Sequence, residues 1–146
     1  MRALGIDLGS KRIGVATSDR SGIIATPLVV LQRSGSRLSD YRSIAALVIE
    51  HQAECVVVGL PFNMSGSIGA AAQSAIDEAN EMASVVTVPV YTYDERLTTV
   101  TADHILMEQK MKAQARRRVV DKVAAAVMLL SWLERRRHQL LDETGE

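Results

Sequence analysis

The sequence of 146 residues contains one cysteine, few aromatic residues and no long apolar run. The cysteine, Cys55, opens the apolar run Cys55-Val56-Val57-Val58, so we expect a buried, inert thiol in a reducing compartment. No segment approaches the roughly 18 uncharged apolar residues that a membrane-spanning helix requires. The chain enters a predicted strand almost at once, which argues against a signal peptide. We therefore expect a cytoplasmic protein without a membrane partner.

The sequence also lacks net charge, because 17 Lys and Arg residues balance 17 Asp and Glu residues. Global charge therefore gives no support for nucleic-acid binding. Basic residues nevertheless cluster between positions 110 and 122, and three arginines follow at 135–137. This cluster is either a solvated helix face or a local phosphate-binding patch. Aromatic residues make up only 3% of the chain, which argues against a stacking platform for single-stranded nucleic acid.

The spacing of apolar and turn-forming residues predicts five strands and four helices. In chain order, these are strands at 4–7, 12–18 and 23–31, a helix at 38–48, a strand at 55–59, a helix at 68–83, a strand at 85–93 that Pro89 weakens, a helix that Thr98 caps, and, after a basic connector at 110–116, a last helix through Leu133.

This order predicts an α/β fold in a single domain over residues 1–146. Strands that are separated by helices pair in parallel through right-handed crossovers, so we expect a mixed sheet covered by helices. In such sheets ligands gather at the carboxyl ends of the strands. Three loops are expected there, namely those that follow Asp7, Gly59 and Tyr93.

Asp7 lies on a strand face that is otherwise made of very small residues, including Gly5 and Gly9. A carboxylate in a buried strand is unfavourable unless it has a partner. Asp7 could cap a turn or pair with Lys11 or Arg12. The alternative is a metal-binding carboxylate on a central strand.

Two further carboxylates are candidates for the same site. Glu95 lies in the loop after the last strand, at the same sheet edge as Asp7, although this loop could also be an exposed charged turn. Asp121 shares a helix face with Ala124 and Ala125, and these small residues would let the helix approach the strand of Asp7. Otherwise Asp121 faces the positive end of its helix or pairs with Arg117.

If Asp7, Glu95 and Asp121 converge, they require a cation, because like charges raise one another's pKa. Oxygen ligands without a nearby His or Cys favour Mg²⁺ or Mn²⁺. Two such ions can activate water and stabilise the leaving oxygen in phosphodiester hydrolysis. A weaker signal is the loop from Gly59 to Ser67, where a helix start and Asn63 could bind phosphate or merely cap the helix.

Four motifs of this chain resemble those of the YqgF/RuvX family of RNase H-like proteins, described as Holliday junction resolvases and pre-16S rRNA nucleases. The resemblance covers nearly the whole chain. The matching motifs are Gly5-Ile6-Asp7-Leu8-Gly9 with Arg12-Ile13-Gly14-Val15-Ala16, Val58-Gly59-Leu60-Pro61, Asp94-Glu95-Arg96-Leu97-Thr98-Thr99, and Asp121 with Ala124-Ala125.

The resemblance implies an RNase H-like five-stranded sheet in the order 3-2-1-4-5. It also implies that Asp7, Glu95 and Asp121 bind the metal and that the protein matures the 5′ end of 16S rRNA, with the ribosome as a candidate partner. Candidate contacts to structured RNA are Lys11, Arg12, Asn63, Arg96, Arg116 and Arg117.

Three other functions are compatible with parts of the sequence. A Holliday junction resolvase would act on branched DNA as a symmetric dimer, and the residues alone do not choose between RNA and DNA or between monomer and homodimer. A non-catalytic nucleic-acid-binding factor would not need three mutually repelling carboxylates. An ATP-dependent phosphotransferase could share the opening Gly5-Ile6-Asp7-Leu8-Gly9-Ser10, but it would need a second, related domain that this chain is too short to hold.

Overall fold

The computed structural model describes residues 1–98 and 113–144, with side chains at 1–98 and 122–141. Its elements are β1 (Ala3–Leu8), β2 (Arg12–Ser18), β3 (Ala25–Gln32), α1 (Arg37–Glu50), β4 (Cys55–Leu60), α2 (Ala70–Ala83), β5 (Val90–Asp94), a 3₁₀ turn (Glu95–Leu97) and α3 (Ala113–Thr144).

The five strands form one mixed sheet in the order β3-β2-β1-β4-β5. The strands β1, β2 and β3 form an antiparallel meander, whereas β4 pairs in parallel with both β1 and β5. This arrangement confirms the predicted mixed sheet and its strand order. It also brings the carboxyl ends of β1, β4 and β5 to one edge.

The alternation of side chains along β1 separates two apolar layers. Leu4 and Ile6 are fully buried in the layer that contains residues of α1 and α2. The opposite face of β1, which carries Gly5, packs against α3 at Ala125 and Leu129. Cys55 is buried in this second layer, as predicted.

Several boundaries differ from the predicted ones. The last strand begins at Val90 rather than Val85, because the N–H groups of Val85 and Val86 bond to the carbonyl of Met82 at the end of α2. Pro89 has no N–H group, and its carbonyl accepts a hydrogen bond from Val56 where the pairing with β4 begins.

The predicted helix at 68–83 begins two residues later, and Ile68 is exposed in the preceding loop. The third strand begins at Ala25 rather than 23, because the Asp19 carboxylate accepts hydrogen bonds from the N–H groups of Ile23 and Ile24 and so holds a turn. Part of the predicted connector is helical, since α3 begins at Ala113. The predicted helix after Thr98 lies outside the described residues. Within the described part of the chain, no helix is both long and apolar enough to cross a membrane.

Candidate active site

Asp7 and Glu95 meet at the edge formed by the carboxyl ends of β1, β4 and β5. Asp7 is the second-last residue of β1, and Glu95 directly follows β5. The two side chains share a hydrogen bond. Burial, together with the charge and hydrogen bond of Asp7, raises the pKa of Glu95 to about 7. Two of the three predicted carboxylates therefore lie side by side.

Gly59 makes room for Glu95. A Cβ atom on Gly59 would lie 2.5 Å from Oε1 of Glu95 and 3.0 Å from its Cγ. The loop motif around Gly59, a weak signal in the sequence, therefore has a definite role at this edge, because the missing side chain of β4 lets Glu95 lie over the strand.

The turn that carries Glu95 is held on both sides. Asp94 caps the turn through the N–H of Arg96, and it also accepts bonds from the guanidinium of Arg96, the shortest being 2.5 Å. The hydrogen bond from Arg96 holds the pKa of Asp94 below its usual value. The guanidinium also lies 5.5 Å from the centre of the Phe62 ring, which fixes Arg96 against the loop after β4.

Sequence reasoning missed a second anchor of this turn. The Ser131 hydroxyl of α3 is fully buried and donates to the Leu97 carbonyl at 3.0 Å, and it lies 2.9 Å from the hydroxyl of Tyr93. The sequence did contain a signal for this contact, because Ser131 lies on the apolar face of a long helix. A hydroxyl that is buried there requires a hydrogen-bond partner.

The backbone of α3 approaches β1 at the predicted small residues. A Cβ atom on Gly5 would lie 2.8 Å from Cβ of Leu129 and 3.0 Å from the Ala125 carbonyl oxygen. Ala125 is fully buried, but Ala124 is exposed, so its predicted place on the contact face is wrong. Adjacent helical residues differ by about 100° in direction, and only one of the two can face the strand.

The position of Asp121 on α3 follows from the direction of the helix. Leu133 approaches Gly22, which lies beside Met1 at the start of the chain, whereas Ala125 approaches Gly5. The helix therefore runs antiparallel to β1. Asp121 lies one turn before Ala125, toward the end of β1 that carries Asp7. Its side chain lies outside the described set.

The predicted nucleic-acid contacts lie in different settings. Lys11 and Arg12 are exposed where β2 begins. The Asn63 amide donates to the Ser67 hydroxyl at 2.9 Å and so closes its own loop. Arg116 and Arg117 belong to the first turns of α3, and their side chains, like Lys110 and Lys112, lie outside what the structure describes.

The donor chemistry of the Asp7–Glu95 pair fits a divalent cation. Among the side chains that the structure describes, no group of three potential metal ligands occurs. Burial of Glu95 and repulsion between the two carboxylates raise the pKa of Glu95 to about 7, so the pair holds a proton near neutral pH. A hard cation relieves the same repulsion, and Asp121 is the candidate for a third oxygen ligand.

Comparison with known proteins identifies the family. A family model described as "RuvX: Holliday junction resolvase" matches residues 1–135. The chain belongs to the RuvX family. This result confirms the resemblance that its four motifs indicate.

Relatives and solved structures agree with this assignment. A protein of Mycobacterium ulcerans named "Putative pre-16S rRNA nuclease" is 49% identical over 93% of this chain and 80% of its own length. A protein of Crocosphaera subtropica with the same name is 40% identical over 95% and 96%. RuvC of Thermus thermophilus, solved in complex with a Holliday junction substrate, superposes with a TM-score of 0.60 at 15% identity, covering 99% of this chain and 96% of that one. The likeness to RuvC shows a common RNase H-like fold.

Proposed function

We propose that this RuvX-family protein is a divalent-metal-dependent nuclease that hydrolyses phosphodiester bonds at the 5′ end of precursor 16S rRNA. The observation that carries the proposal is the contact between Asp7 and Glu95 at the carboxyl edge of an RNase H-like sheet. The names of the Mycobacterium ulcerans and Crocosphaera subtropica relatives support the choice of substrate.

In this proposal Asp7, Glu95 and Asp121 hold Mg²⁺ or Mn²⁺. A metal ion held by these carboxylates would supply Lewis-acid chemistry for activation of water and stabilisation of the leaving oxygen. The protein contributes the fixed carboxylates, since the turn of Glu95 is tied to α3 by Ser131 and to Phe62 by Arg96. A rigid set of ligands keeps the reacting groups in a productive geometry.

Basic residues around the carboxylates bind the RNA backbone. Lys11 and Arg12 contact phosphates next to the scissile bond, and Arg96 and Asn63 line the neighbouring loop. Arg116 and Arg117 hold phosphates further along the substrate. Such contacts fix the position of a structured RNA without reading its bases. We further propose that residues 1–146 act as one domain in the cytoplasm, with the ribosome as a partner.

A second candidate function is resolution of four-way DNA junctions. The description of the family model and the junction complex of Thermus thermophilus RuvC favour it. A resolvase would act as a symmetric homodimer with two sites on one junction, whereas an RNA nuclease could act as a monomer.

The deciding experiment offers two substrates to the same protein. A precursor 16S rRNA fragment and a four-way DNA junction are incubated with Mg²⁺ or Mn²⁺ and the wild type, Asp7→Asn or the exposed control Asp77→Asn. We expect RNA cleavage by the wild type and Asp77→Asn but not by Asp7→Asn. Cleavage of the junction alone would favour the resolvase, and RNA binding without cleavage would favour a non-catalytic factor.

A further inference from the structure

The turn between β1 and β2 accepts two hydrogen bonds from Arg33, the residue that directly follows β3. Its Nε donates to the Gly9 carbonyl at 2.8 Å, and its backbone N–H donates to the Lys11 carbonyl at 2.9 Å. Within the turn, the Gly9 N–H donates to the Arg12 carbonyl at 2.9 Å. Arg33 thus contacts the turn at two carbonyl groups, both within four residues of Asp7.

Arg33 is itself fixed by a buried carboxylate. Its two terminal nitrogens donate to the two oxygens of Glu78 at 2.9 and 2.8 Å, and Glu78 of α2 is only 3% exposed. The hydroxyl of Tyr41, from α1, donates to the same carboxylate at 2.8 Å. A bidentate pair fixes orientation as well as distance, so the plane of the guanidinium is determined by α1 and α2.

The turn borders open space on one side. Gly9, Ser10, Arg33, Pro61 and Glu78 line a cleft of about 380 Å³ that opens beside the turn. A loop that borders open space can move unless hydrogen bonds restrain it. The bonds from Arg33 therefore restrain the backbone directly after Asp7, in addition to the pairing of β1 with β2.

We propose that Arg33 is a positioning residue of the nuclease site, which holds the turn that follows Asp7 and carries Lys11 and Arg12. The inference rests on the proposed role of Asp7 as a metal ligand. Groups that orient a ligand from outside the coordination shell commonly change metal affinity or activity by about 10- to 100-fold when they are replaced.

The chain contains a matched control for this pair. Arg37 and Glu81 also join the start of α1 to α2 at 2.8 Å, but their side chains are 50% and 44% exposed. Removal of Arg37 deletes an ion pair to α2 while leaving both bonds from Arg33 to the turn. Such an exposed pair contributes little to stability.

The test compares Arg33→Met, Arg33→Lys and Arg37→Met with the wild type at a temperature where circular dichroism shows all four to be folded. Three quantities are measured: kcat on the RNA substrate, the Mn²⁺ concentration that half-saturates binding, obtained from the electron paramagnetic resonance signal of free Mn²⁺, and the amide exchange rate of Gly9. A smaller folded fraction would lower the apparent kcat but would not change the half-saturating Mn²⁺ concentration.

For Arg33→Met we expect an at least 10-fold lower kcat, an at least 10-fold higher half-saturating Mn²⁺ concentration and faster exchange at Gly9. Arg33→Lys should resemble Arg33→Met, because one ammonium group cannot bond to the Gly9 carbonyl and to both oxygens of Glu78 as the guanidinium does. In Arg37→Met all three quantities should stay within twofold of the wild-type values. Wild-type Mn²⁺ binding and Gly9 exchange in Arg33→Met would overturn the inference. If the wild type cleaves neither substrate, the proposed function fails, while metal binding and exchange still decide the role of Arg33.

Discussion

The side chain of Glu95 fills the space in which a side chain of Gly59 would stand, since a Cβ atom there would lie 2.5 Å from Oε1 of Glu95. We therefore expect Gly59→Ala to displace the carboxylate. A shift of about 1 Å in a catalytic group can cost about 100-fold in rate, so nuclease activity should fall by at least about 10-fold.

Stability measurements separate this effect from general damage to β4. Gly59→Ala should lower the free energy of unfolding by about 1–3 kcal/mol in the wild type, as overpacking generally does. In a Glu95→Ala background the obstructing atoms are gone, so most of this loss should disappear. Equal losses in both backgrounds, measured by urea denaturation, would show that Gly59 does not act through Glu95.

Asp7→Asn should abolish cleavage and preserve the fold. The amide keeps the shape of the side chain but removes the charge that a cation requires, so we expect at least about a 100-fold loss of activity. The free energy of unfolding should change by no more than about 1 kcal/mol. Denaturation curves and cleavage assays check both statements, with Asp77→Asn as the exposed control. An unfolded Asp7→Asn would instead identify a structural aspartate.

Ala125→Leu should damage stability and activity together. Ala125 is fully buried, and its carbonyl lies close to Gly5, so a larger side chain pushes α3 away from β1. We expect a loss of about 1–3 kcal/mol in the free energy of unfolding and reduced cleavage, because Asp121 moves with the helix. The neighbouring Ala124→Leu is exposed and should behave as the wild type. Similar effects of the two substitutions would contradict the close approach of helix and strand.

Cys55 provides a test of pH dependence. Burial raises the pKa of its thiol from 9.0 to about 11. The folded state therefore holds the proton more tightly than the unfolded state, and the stability contributed by the thiol is complete below pH 9 and lost as pH rises toward 11. The difference in unfolding free energy between the wild type and Cys55→Val should shift against the wild type between pH 8 and 10.5. A constant difference would contradict the raised pKa.

The sequence was sufficient to predict the sheet because its signals are local. The buried run from Cys55 and the repeated apolar residues of β1 and β2 have the pattern of strands. The strand order 3-2-1-4-5 was implied by the family resemblance, and the observed sheet confirms it. The start of β5 was wrong because Val85, Val86 and Val88 resemble a strand. Hydrogen bonds from Val85 and Val86 to the end of α2 make this segment a turn instead of a strand. The hydropathy of the residues does not predict these bonds.

The candidate site was predictable to a similar extent. The motifs brought Asp7 and Glu95 to one edge, and the structure places them in contact. The sequence analysis placed both Ala124 and Ala125 on the face that contacts β1. Which of the two faces the strand depends on the rotation of α3 about its own axis, and the presence of small residues does not specify that rotation. Arg33 was missed, although Glu78 offered a signal, since it lies one turn from the buried Ala75 and Met82 on an otherwise apolar helix face.

The packing of α3 against β1 also has a consequence for synthesis of the protein. The first strand leaves the ribosome early, but the partner of Asp7 follows β5, and Asp121 belongs to the helix that covers Gly5. Contacts between such distant segments form late, because closing a long loop costs entropy. A nascent chain that ends before α3 therefore exposes the apolar face of its meander and lacks the proposed metal centre, so we expect nuclease activity only after α3 has been synthesised.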